Sequence, residues 1–91
     1  MDPPPYGRGP DGEKWTLIEK LNELVHLSSQ LLERKNSFFI LSMYAVGLSA
    51  VVGLNVLKTH FQIADAEYGE FLLKSKHGRD LPMGTFVRFK C

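Results

Sequence analysis

The chain has 91 residues, 11 Lys and Arg against 10 Asp and Glu, and a formal net charge of +1, so no charge excess marks a nucleic-acid surface. A single cysteine, Cys91, excludes an internal disulfide and a cysteine-based metal cluster. Hydrophobic residues make up 44% of the chain, and their distribution is uneven enough to organise the reading.

Residues 1–15 contain Pro3, Pro4 and Pro5 and three glycines, a composition that predicts an extended arm. Asp2, Asp11 and Glu13 argue against both a secretory signal and a conventional mitochondrial presequence. The arm is expected to lie across a neighbouring subunit, with Tyr6 and the prolines as contact points.

A helix is expected over residues 16–35. Thr16-Leu17-Ile18-Glu19 has the S/T-x-x-E form of a capping box. Apolar residues recur at helical spacing, and Ile18, Leu21, Val25 and Leu32 form a stripe suited to packing on a protein partner. His26 lies beside the stripe with no second ligand at metal-binding spacing.

Residues 38–57, FFILSMYAVGLSAVVGLNVL, carry no charge. At about 1.5 Å rise per residue, a helix of this length crosses the roughly 30 Å hydrocarbon core of a bilayer. The expected fold class is therefore an all-α membrane protein with a single transmembrane helix, within a membrane segment of residues 36–58. Ser42, Ala45, Ser49 and Gly53 form a small-residue stripe for helix packing in lipid. Arg34 and Lys35 before the run, and Lys58 and Phe61 after it, read as interfacial anchors.

Within residues 59–91, Phe61, Ala64, Tyr68, Phe71 and Leu72 share one face of an expected helix over 59–76. The final stretch, ending TFVRFKC, reads as an extended tail whose alternation is also compatible with a strand. No paired catalytic carboxylates, nucleophile with its base, phosphate loop or metal cluster stands out. Asp65, Glu67 and Glu70 read as a solvated acidic surface, and no cofactor, catalytic residue or metal ligand is expected.

Taken together, a polar N-terminal helix, one uncharged span and short extramembrane arms resemble the small single-pass accessory subunits of mitochondrial respiratory-chain complexes. The resemblance lies in architecture and rests on no sequence motif. It implies a non-catalytic structural subunit in the mitochondrial inner membrane, bracing an NADH dehydrogenase complex (complex I). ATP synthase, a cytochrome complex and a self-associating regulator or assembly factor are the alternatives. Its partners would be other subunits of the complex and the lipid bilayer, with neither nucleic acid nor a small-molecule substrate.

Overall fold

A computed structural model describes residues 1–44 and 48–90 of the chain. Seven elements follow in order: β1 (Tyr6–Arg8), β2 (Lys14–Thr16), α1 (Leu17–Leu31), β3 (Phe38–Met43), α2 (Ala50–His60), β4 (Ala66–Leu73) and β5 (Leu81–Lys90). β1 and β2 form a short antiparallel hairpin. The main sheet has the order β3-β5-β4, with β5 antiparallel to both neighbours. β3 and β4 are consequently parallel to each other, joined through α2, with β5 inserted between them. This is a split β-α-β unit.

The all-α membrane expectation is overturned here. The uncharged run of residues 38–57 divides into β3 and the first part of α2, and α2 has only 11 residues. Among the described residues, no helix is long and apolar enough to cross a membrane. The physical reason lies in two successive apolar elements. In β3 the side chains of Phe39, Leu41 and Met43 enter the core, while Phe38 and Ile40 face outward, so both faces of the strand are apolar. α2 follows after a short connection and presents Ala50, Gly53, Leu54 and Leu57 to the same core. Ser49 marks the break: its backbone is extended, and its hydroxyl accepts from the Val52 N–H at 3.3 Å, capping the helix.

The expected helix over 59–76 is likewise absent. Its residues form β4, in which Tyr68 and Glu70 share one face and Gly69 and Phe71 the other. The supposed C-terminal tail is the central strand β5, with Val87 and Phe89 in the core. Pairing steps from Phe71↔Gly84 to Leu72↔Pro82, so β5 carries one extra residue, Met83, as a bulge. Gly84 beside it has φ +129°. A Cβ there would lie 2.7 Å from the Met43 carbonyl oxygen and from the Tyr44 ring, so glycine is required by both conformation and space.

α1 begins at the expected residue and ends earlier than expected. Thr16 is the N-cap by backbone conformation, but its side chain makes no capping hydrogen bond, and its buried hydroxyl has no partner. The helix stops at Leu31, with Leu32 extended and its N–H donating to Ser28. Asn36 then adopts φ +57°, turning the chain into β3. Leu17, Leu21 and Val25 are buried against α2 and the sheet, whereas Ile18 is 68% exposed.

The N-terminal arm packs on its own chain. Trp15 Nε1–H donates to the Pro4 carbonyl at 2.8 Å, and the Leu17 N–H donates to the Pro5 carbonyl at 3.1 Å. Met1 reaches the outer side of β3, where its amine donates to the Ile40 carbonyl and its carbonyl accepts from the Ser42 N–H.

Candidate functional site

In open α/β sheets, ligands bind in the crevice outside the carboxyl ends of the parallel strands. The parallel strands here are β3 and β4; β3 ends at Met43, level with Thr85 of β5 and with Glu70 of β4, while β4 runs on to Leu73. At that end a groove of about 580 Å³ opens between the start of α2 and the α2-facing side of β4 and β5. Leu48, Ser49 and Val51 form one wall, and Tyr68, Glu70 and Thr85 the other. The volume lies within the usual range for small-molecule sites.

Each polar group reaches the groove for a local reason. Ser49 stands at the lip because it must cap α2. Tyr68 and Glu70 point the same way because alternate residues of a strand share a face. Tyr68 is half exposed and Glu70 is exposed. The Thr85 hydroxyl is buried without a hydrogen-bond partner. The groove thus offers a carboxylate and an aromatic ring side by side, a combination that suits a cationic or hydrogen-bond-donating ligand. Among the described residues, no cluster of three or more His, Cys, Asp or Glu could hold a metal ion.

A second cleft of about 470 Å³ lies at the opposite end of the sheet, beside Phe38, Asp65 and Lys90. Its floor includes Phe39 and Phe89, which with Phe61 form an aromatic trio with ring centroids 5.1 to 5.7 Å apart. Arg88 pairs with Glu67 at its rim and lies over the Phe86 ring. His60 and Asn22 join α2 to α1 by a hydrogen bond of 2.7 Å, with the His26 ring 5.1 Å from that of His60. The separation of His26 and His60 in sequence hid this proximity.

The residues singled out from the sequence are dispersed. Ser42 lies in β3, Ser49 caps α2, and Gly53 is buried against Met43, Val87 and Leu41. Ala45 lies outside the described residues, as does Cys91. Leu21 and Val25 are in the core and Leu32 packs against it, while Ile18 faces away. Arg34, Lys35 and Lys58 are exposed, and Phe61 joins the aromatic trio. Only Ser49 among these lines the groove. Helical spacing puts Tyr68 on an apolar face and Glu70 on an acidic surface, whereas strand alternation in AEYGEFLL places them together.

No family model matches the chain, and no curated protein matches it. Among solved structures it is similar to a SAM-dependent methyltransferase from Agrobacterium tumefaciens, with a TM-score of 0.81 and 24% sequence identity over 98% of this chain. The chain spans 31% of the length of that methyltransferase. At this identity the likeness establishes a shared fold.

This finding, with the split β-α-β architecture, overturns the resemblance to respiratory-chain accessory subunits. The inner-membrane location and the bilayer as a partner lose their basis because the supposed span is a strand followed by a short helix. The structural-subunit role in complex I rested on that span, and the non-catalytic assignment and the exclusion of small-molecule substrates rested on it together with the lack of a recognisable catalytic motif. They give way to a fold shared with a part of a SAM-dependent methyltransferase.

Proposed function

We propose that this chain forms one flank of a methyltransferase-type α/β domain, and that the groove beside the carboxyl end of β3 and the middle of β4 serves SAM-dependent methyl transfer. The observation that carries the reading is the likeness of 98% of the chain to a part of one such enzyme. The position of the groove supports it, since it lies where α/β sheets hold their ligands.

The chemistry of the groove is compatible with the donor. SAM is a sulfonium, and the methyl group leaves its sulfur as an acceptor lone pair forms the new bond, giving a neutral thioether and releasing a proton from a protic acceptor. The Glu70 carboxylate and the neighbouring Tyr68 ring are the groups here that would stabilise a cation. Ser49 and the first turn of α2 would close the opposite wall and restrict access of water. Because the chain matches about a third of the comparison enzyme, the rest of the site belongs to sequence beyond these residues or to a partner.

The test is ultraviolet cross-linking of radiolabelled SAM to the protein purified by a C-terminal tag with whatever accompanies it. Label in this chain or in a stoichiometric companion, competed by S-adenosylhomocysteine and weakened several-fold by Glu70→Gln, is the expected result. Absence of competed label throughout the purified assembly would remove the reading.

A further inference from the structure

In sequence His26 stands alone on α1, and the tertiary structure brings a second imidazole to it. His60 is the last residue of α2, and its ring centroid lies 5.1 Å from that of His26, with the two planes inclined at 56°. His26 is exposed and His60 half-buried, so both rings are within reach of a dissolved ion.

Three features of the pair suit a shared cation. The first is separation: two imidazole nitrogens at about 2.0–2.1 Å from one tetrahedral zinc place their ring centroids about 5 Å apart. The second is orientation. Asn22 Oδ1 is an acceptor, so the 2.7 Å contact with His60 Nε2 is donated by the ring, and in the neutral imidazole the lone pair is then on Nδ1. A ligating histidine ordinarily donates its other N–H to a carbonyl or carboxylate in this way, which fixes the tautomer and the ring. The third is charge. His60 stands at the C-terminus of α2, where the end carbonyls attract cations, and Glu23 lies about one turn before His26, held only by an exposed 3.7 Å pair with Lys20. Lys58 also belongs to this last turn, but two positions from His60 it leaves the helix on another face. Gln30 Nε2 is 3.5 Å from His26 Nε2, at the outer limit of a hydrogen bond, and restrains that ring little.

We propose that His26 and His60 form an inter-helix site for a borderline divalent transition-metal ion, Zn²⁺ or Cu²⁺, with Asn22 as its positioning residue. Imidazole nitrogen is a ligand suited to these ions, whereas Mg²⁺ takes oxygen. The two rings fill two coordination positions and water or an exchangeable ligand fills the others, so the ion binds reversibly and fastens α1 to the end of α2. The groove lies at the other end of α2, and the site does not depend on the function proposed above.

The experiment is titration of the full, untagged chain with zinc chloride, read by long-range proton–nitrogen NMR of the histidine side chains and by thermal unfolding. The expected result is one ion per chain, with His60 Nδ1 and one ring nitrogen of His26 shifting together and His77 unmoved. Only the folded chain brings the rings together, so free ion at a hundredfold excess over its dissociation constant should raise Tm by about 10 °C. His26→Ala and His60→Ala should each abolish the one-to-one binding, and Asn22→Ala should weaken it about tenfold by releasing the His60 ring. His77→Ala should leave it unchanged. Cu²⁺ should bind more tightly than Zn²⁺, and Mg²⁺ should shift neither ring. Equal shifts at His77 with more than one ion bound would show adventitious surface binding. A shift at one ring alone, or one-to-one binding retained in His26→Ala or His60→Ala, would show that the rings share no ion. Each of these results overturns the proposal, and the shifts in the parent chain decide it even where a variant fails to fold.

Discussion

Gly53 offers the sharpest test of how α2 sits on the sheet. A Cβ built at this position would lie 2.6 Å from Met43 Cε, 3.4 Å from Val87 Cγ2 and 3.5 Å from Leu41 Cδ2. Carbon contacts are optimal at about 3.5–4.0 Å, so the first neighbour must move and the other two are already at contact distance. For Gly53→Ala, removing a glycine from the first turn of α2 gains up to about 1 kcal/mol, and the end of a methionine side chain can swing aside. The two effects are close, and stability should stay within about 1 kcal/mol of the parent. Gly53→Leu adds three further carbons against Val87 and Leu41, both fully buried, and overpacking of this kind costs up to about 3 kcal/mol. For a domain of this size each kcal/mol shifts Tm by roughly 4–8 °C. Urea unfolding followed by circular dichroism measures both variants, and Met43→Ala in the Gly53→Leu background should recover about 1 kcal/mol or more by opening space. If Leu costs no more than Ala, or if the Met43 truncation recovers nothing, α2 does not approach the sheet at Gly53.

Three further substitutions probe separate features. Ser49→Ala removes the hydroxyl that caps Val52 N–H and should cost about 1 kcal/mol, with Ser49→Asp close to neutral; equal losses for both would show that the cap contributes nothing. Gly84→Ala forces a side chain into φ +129° against the Met43 carbonyl and should destabilise by about 2–3 kcal/mol in chemical denaturation, an effect that a Gly7→Ala control in open space should lack. Glu67→Gln breaks the exposed pair with Arg88 and should change stability by less than about 1 kcal/mol, a change that salt suppresses; a larger, salt-independent loss would mean that the pair is shielded from solvent.

The uncharged run of residues 38–57 is where sequence pattern and fold part. A strand with apolar side chains on both faces has no period-2 pattern to distinguish it from a helix, and a short capped connection then leads into another core-facing segment. Local signals were nevertheless present. Phe38, Phe39 and Ile40 favour a strand, and Ser49 before a helical segment is a cap. The stretch of residues 66–73 was ambiguous for a different reason: Phe61, Ala64, Tyr68, Phe71 and Leu72 fit a helical face by spacing, yet Tyr68 and Phe71 lie on opposite faces of β4. The candidate groove is hidden for the same reason, since Tyr68 and Glu70 come together only when this segment is extended.

By itself the sequence determined the start of α1 at Leu17 after Thr16 and the extended character of the proline-rich arm, whereas Leu21 and Val25, which read as a stripe for a protein partner, pack into the core of the chain itself. Those features follow from local chemistry: an extended Thr16 ahead of a helical repeat, and proline's fixed φ and missing N–H. Only the tertiary structure decided that residues 81–90 form a central strand between β3 and β4, that the arm folds back to the edge of β3, and that Ser49, Glu70 and Thr85 share one groove. These depend on pairings between residues tens of positions apart. A strand's hydrogen-bond partners are not encoded in its own residues; they are selected by which apolar faces can be buried together.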